Sequence, residues 1–109
     1  MKGVFVLCLL LGVASPAAAA AHHCAADARA HAEKLLELHG ETDASYVSID
    51  DTVTQLAPIK ALKGNGHLDV LEVWGHIYKA DYRMRFIYAQ IEDSCALMGQ
   101  EVLEASNPY

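Results

Sequence analysis

Three side chains that commonly bind metals stand next to one another near the start of the chain: His22, His23 and Cys24. If the chain is cut before Ala21, a free amine, two backbone amides and the imidazole of His23 can surround Cu(II) or Ni(II) in a square plane. Ala21, His22 and His23 are therefore a candidate copper or nickel site. The alternative is an unliganded terminus, in which case the protein needs no cofactor.

The residues before this triplet are typical of an export signal. Lys2 supplies positive charge, residues 4–13 form an apolar run too short to span a bilayer, and residues 17–21 are all alanine. This pattern predicts a cleavable signal peptide over residues 1–20 and one small exported domain over residues 21–109. We expect that domain in a bacterial periplasm or in the medium.

The cysteines predict one disulfide. Cys8 lies in the predicted signal peptide, which leaves Cys24 and Cys95 with a single intramolecular pairing in an oxidising compartment. A metal–thiolate site or a redox pair is less favoured, because these two cysteines are far apart in sequence and no Cys-x-x-Cys occurs.

The formal net charge of −6 at pH 7 excludes some partners. Nucleic acids and anionic membranes attract clustered lysine and arginine, which this acidic chain does not offer. We therefore expect no nucleic acid, and no membrane after signal cleavage. The expected partner is another protein or a second copy of the chain.

Hydrophobic periodicity predicts the secondary structure. Apolar residues at helical spacing favour a helix from Cys24 to His39, and the period then changes to two over residues 46–49, 53–62, 67–78 and 83–91. Gly64-Asn65-Gly66 is typical of a hairpin turn. Residues 95–105 are rich in helix formers and predict a C-terminal helix, with a fourth long strand as the alternative.

These elements predict a two-layer α+β fold. An N-terminal helix is followed by an antiparallel meander of three or four strands, and the C-terminal helix covers the same sheet face. A loop at residues 79–82 then sets the register of the last two strands, and a three-residue loop at Gly64-Asn65-Gly66 sets that of the two strands before it. Together they place an apolar row, Leu56–Trp74–Ile87, on the face that the helices leave open.

Aromatic and arginine side chains are enriched at the centres of protein interfaces, so this open face is the predicted partner-binding surface. Its residues are Leu56, Trp74, His76, Tyr78, Arg83, Arg85 and Ile87.

Catalytic motifs are missing from the sequence. It has no Gly-x-Ser-x-Gly, no His-Glu-x-x-His and no phosphate-binding glycine loop. The expected function is that of a small exported, non-enzymatic binding protein. One alternative is metal binding at the mature amino terminus, and another is a small enzyme with a site around His76, Tyr78, Tyr82 and Arg85. In the predicted register His76 lies beside Arg85, where it is a poor general base unless a carboxylate orients it.

Overall fold

The computed structural model describes residues 21–109, so the predicted signal peptide lies outside the described residues. The fold is α+β, as predicted, with one helix followed by a four-stranded antiparallel sheet. The sheet is a meander in the order β1-β2-β3-β4. No helix of residues 21–109 is long and apolar enough to cross a bilayer. The elements are α1 Ala25–His39, a short 3-10 turn Ala44–Tyr46, β1 Val47–Lys60, β2 His67–Ile77, β3 Ala80–Ile91 and β4 Ser94–Glu104.

Helix α1 packs on one face of the sheet, which we call the inner face. It buries Ala28, Ala32 and Leu36 completely, and the two alanines allow the helix backbone to approach the strands closely. The Tyr88 hydroxyl donates a hydrogen bond to Asp27 at 2.8 Å, which fixes the first turn of α1 over β3. The core residues of the inner face are Leu71, Val73, Ile77, Tyr82, Met84, Phe86 and Tyr88.

The predicted disulfide is confirmed. Cys24 immediately precedes α1 and is fully buried, and it is bonded to Cys95 in β4 across a Cα–Cα distance of 5.7 Å. The bond spans a sequence separation of 71 residues and ties the start of the helix to the last strand.

The C-terminal helix predicted for residues 95–105 is wrong, because this segment is strand β4. Glu92 and Asp93 adopt left-handed backbone conformations, with φ of 50° and 63°, and form a two-residue turn that sends the chain back along β3. Pairing then satisfies the N–H and C=O groups that β3 would otherwise leave open at an edge. These tertiary hydrogen bonds outweigh the modest helix propensity of the segment.

Strand β1 is continuous, whereas the sequence predicted two strands separated by a bend at residues 50–51. The bend is instead a register shift between Ile49 and Val53 within one long strand. A second shift lies between Leu56 and Ile59, around Pro58. A proline cannot donate a hydrogen bond to the sheet, and β1 accommodates it because this strand lies at the sheet edge. A hairpin does follow β1, and Gly64 turns there with φ of 78°, but its connection spans residues 61–66 and not the three residues of Gly64-Asn65-Gly66.

The register predicted for β2 and β3 is wrong by four residues. The turn consists of Tyr78 and Lys79, so that Ile77 pairs with Ala80 and Trp74 pairs with Arg83 rather than Ile87. A shift of four is even, so every side chain still points to the face predicted for it. The faces were therefore predicted correctly, while the neighbours within each face were not.

Gly75 has no room for a side chain, because a Cβ there would lie 2.6 Å from Cδ1 of Leu36 and 2.9 Å from Cδ1 of Ile49. We expect Gly75→Ala to lower the free energy of unfolding by about 1–3 kcal/mol through overpacking. Gly66→Ala is the matched control, because nothing lies within 4 Å of its Cβ position. Urea unfolding of both variants checks this, and equal stabilities would contradict the packing described.

The disulfide should contribute strongly to stability. Closing so long a loop restricts the unfolded chain, so Cys24→Ser combined with Cys95→Ser should cost about 4 kcal/mol. Urea unfolding of this double variant against the oxidised protein measures the loss. The mass of the oxidised protein should also be two hydrogens below that of the reduced protein. A detectable free thiol before reduction would contradict the pairing.

Candidate functional site

The candidate site is the outer face of the sheet, which α1 does not cover. The predicted apolar row Leu56–Trp74–Ile87 is wrong, because Val70 and not Trp74 pairs with both Leu56 and Ile87. The outer face is divided into two halves. Trp74, His76, Arg83 and Arg85 lie in a polar half toward the β2–β3 turn, whereas Leu56 and Ile87 lie in an apolar half toward the β1–β2 hairpin.

A network of ion pairs occupies the centre of the polar half. Glu72 accepts hydrogen bonds from Arg85 Nε at 3.0 Å and from Trp74 Nε1 at 3.3 Å, and its carboxylate lies 4.0 Å from Arg83 Nε. The Glu101 carboxylate lies within 3.8–3.9 Å of both guanidinium groups. Two positive and two negative charges therefore balance. Arg85 and Trp74 are held by hydrogen bonds within the sheet, whereas the buried Nε of Arg83 has no hydrogen-bond partner among residues 21–109.

His76 is held between two carboxylates at the end of the polar half. Its Nδ1 is 2.7 Å from Asp81 and its Nε2 is 2.8 Å from Asp50. Hydrogen bonds to Asp81 and then Asp50 raise the pKa of His76, since both stabilise the charged imidazolium. Asp50 reaches the imidazole from the irregular part of β1. Neither carboxylate was predicted as a partner of His76, because the predicted register placed His76 beside Arg85.

The residues of the predicted enzyme site do not come together. Tyr82 is buried on the inner face, on the opposite side of the sheet from His76. Tyr78 lies in the β2–β3 turn with φ of 55°, and its exposed ring is 5.3 Å from that of Tyr46. Both nitrogens of His76 are occupied by carboxylates, so neither is free to accept a proton from a substrate.

The apolar half carries a continuous set of aliphatic side chains, which we call the apolar patch. Leu62 in the β1–β2 connection is fully exposed, and Met98 is 61 % exposed at the bulge in β4. Together with Leu68 they line a groove of about 390 Å³. The members of the patch are Leu56, Ile59, Leu62, Leu68, Val70, Ile87 and Met98.

Five members of the apolar patch were not predicted as site residues. A signal for two of them is present near the start of β2, where Leu68-Asp69-Val70-Leu71 follows His67. Apolar residues on both faces of a strand are typical of a segment that is covered on both sides. Leu62 and Met98 carry no such signal, because a loop residue and a bulge residue fall outside any strand periodicity.

The amino-terminal histidines have different environments. His22 is nearly buried: Nδ1 accepts from the backbone N–H of Cys24 at 3.0 Å, and Nε2 donates to Asp69 at 2.9 Å. His23 is exposed and its ring stacks on that of His22. The square-planar copper or nickel site stays a prediction that depends on Ala21 being the first residue of the exported chain.

No protein-family model matches the chain, and neither a curated protein nor a solved structure matches it.

The interaction of His76 with Asp50 and Asp81 should make stability depend on pH. The folded pKa lies above 6.5, so the stabilisation is fully present below about pH 6.5 and is lost as pH rises through the folded pKa. We expect His76→Gln to cost less than about 1 kcal/mol, because both carboxylates are half exposed.

Urea unfolding from about pH 6 to about pH 9, the range that brackets the histidine pKa, measures this cost. The difference between the protein and His76→Gln should shrink as pH rises. His67→Gln is the control, because His67 is exposed and has no ion-pair partner within residues 21–109. A difference that grows with pH would contradict the assignment.

Proposed function

We propose that this protein is a small, exported, non-enzymatic binding protein that docks onto another protein through the apolar patch. The observation that carries the proposal is the aliphatic half of an outer sheet face that α1 does not cover. Leu62, Met98 and Ile59 are the exposed large hydrophobic side chains of this half. Val70 is buried within the patch, and Leu56, Leu68 and Ile87 are half-buried around it. A contiguous apolar surface that is partly exposed on a small protein is typical of an interaction site.

Energetics support the apolar patch as the contact surface. Burying one leucine or methionine side chain is worth about 1.5–3 kcal/mol. Leu62 gains none of this within its own domain because it is fully exposed. A partner that covers Leu62 and Met98 therefore gains binding free energy that folding has not already used.

The charges around the apolar patch indicate what kind of partner fits. Lys63 lines the groove beside Leu62, and within residues 21–109 it forms no ion pair with a carboxylate. A partner with an apolar centre and acidic side chains around it would complement this rim. A second copy is less favoured, because overlaying two apolar patches face to face brings their lysines close together.

The polar half of the outer face then lies beside the contact rather than at its centre. Arg83 and Arg85 are paired with Glu72 and Glu101, so a partner gains little charge attraction from them. Trp74 likewise donates its indole N–H to Glu72. The proposed centre of binding moves from Trp74, where the sequence placed it, to Leu62 and Met98.

Leu62→Asp tests the proposal without disturbing the fold, since the side chain is fully exposed. We expect binding to the partner to weaken about tenfold or more, which is the loss of one buried leucine side chain. Leu38→Asp is the matched control: Leu38 is 78 % exposed near the end of α1, away from the outer face. A photo-crosslinking residue at position 62 or at position 38, in the native exporting cell, identifies the partner.

The same experiment separates the alternatives. The proposal predicts a crosslinked protein at position 62 but not at position 38, and binding of the purified pair that weakens with salt and with Lys63→Glu. A crosslink to a second copy, with a dimer in sedimentation analysis that Leu62→Asp dissociates, would replace the partner with self-association. Equal crosslinking at both positions would overturn the proposal.

A further inference from the structure

Four metal-binding side chains meet at the start of α1. The ligand atoms of His22, His23 and Cys24 all lie within 4.8 Å of one another. The disulfide adds Cys95, whose sulfur is bonded to that of Cys24. The four residues come from two distant parts of the chain, and only the fold brings them together.

The disulfide prevents these side chains from acting as one site. Cysteine binds metals as a thiolate, whereas a disulfide sulfur is neutral and a weak ligand. A dithiol reductant breaks the Cys24–Cys95 bond by thiol–disulfide exchange. Two electrons and two protons pass to the cysteine pair, which becomes two thiols, and the reductant leaves as its own disulfide.

We propose that reductive opening of Cys24–Cys95 creates a zinc site formed by His22, His23, Cys24 and Cys95. On binding Zn²⁺ the two thiols release two protons, and two thiolates and two imidazole nitrogens complete a four-coordinate shell. Cys₂His₂ is a common ligand set of structural zinc sites. The metal then replaces the disulfide as the link between α1 and β4.

The distances require only small movements. Ligand atoms bound to tetrahedral zinc lie about 3.3–3.8 Å apart, given bond lengths of about 2.0–2.3 Å. The largest separation among the first three residues therefore has to shrink by about 1 Å, again judged against those bond lengths. The exposed ring of His23 can turn to do this, and Cys24 stays anchored because it is buried at the start of α1.

Asp69 provides an independent indication of a metal site. It accepts a hydrogen bond from His22 Nε2 at 2.9 Å and another from Gln90 Nε2 at 3.0 Å, so its carboxylate is itself held in place. This leaves Nδ1 of His22, which accepts from the backbone N–H of Cys24, as the nitrogen available to a metal. Histidine ligands of zinc commonly donate their other N–H to a carboxylate, which orients the ring. Zinc only has to displace the Cys24 backbone N–H from Nδ1.

This site is independent of the proposed docking function. Asp69, Cys24 and Cys95 belong to the inner side of the sheet, whereas the apolar patch lies on the outer side. Failure of one proposal therefore leaves the other unaffected.

Cobalt titration tests the inference on the protein as isolated and after anaerobic reduction with a phosphine. We expect the reduced protein to bind one equivalent of Co²⁺ with thiolate-to-cobalt absorption and tetrahedral ligand-field bands, and Zn²⁺ to displace it. The oxidised protein should show neither signal. His22→Gln and His23→Gln should each weaken Zn²⁺ binding at least about tenfold, and Asp69→Asn by a similar factor. His67→Gln is the matched control and should have no effect.

If reduction unfolds the protein, circular dichroism measures whether Zn²⁺ restores the folded structure. Recovery of the folded spectrum on adding Zn²⁺ alone, lost in His22→Gln, would support the site, since metal binding then supplies folding free energy. Reduced protein that binds no Co²⁺, or that binds it equally well in His22→Gln and His23→Gln, would overturn the inference. An unfolded reduced protein that Zn²⁺ does not refold would also overturn it.

Discussion

The close contact between α1 and the inner face of the sheet is the constraint on which the rest of the structure depends. Leu36 fills the space over Gly75, and Ala28 and Ala32 let the helix backbone lie near the strands. Cys24 and Tyr88 fix the other end of the helix through the disulfide and the bond to Asp27. A domain of this size has little stability to spare, so this single layer of contacts must supply most of it.

One helix covers one face of a sheet, and this division of faces determines what the protein offers to a partner. The inner face contains the core, and the outer face is left with two different halves. In the charged half, Glu72 and Glu101 balance the charges of Arg83 and Arg85. No helix or strand of residues 21–109 covers the aliphatic half, so this half of the outer face is the surface that a partner can cover.

The disulfide has a second consequence besides stability. Because it joins the first residue before α1 to the last strand, it places both sulfurs beside His22 and His23. A thiolate site was the less favoured interpretation of the sequence, since the two cysteines are 71 residues apart. The fold removes that objection, and Asp69 orients the histidine that would complete the site.

Local patterns in the sequence determined the α1 helix, the alternation of β2 and β3, the hairpin at Gly64 and the Cys24–Cys95 pairing. These follow from side-chain periodicity, turn residues and an even cysteine count, all of which act over short range or leave one choice. Tertiary structure alone decided the strand register, the choice of strand over helix for residues 94–104, and the hydrogen-bond partners of His76. Register depends on which two residues form a turn, and a four-residue slip preserves both faces while replacing every neighbour. Edge pairing with β3 overrode helix propensity because backbone hydrogen bonds to a neighbouring strand outweigh an intrinsic preference of a few tenths of a kcal/mol per residue.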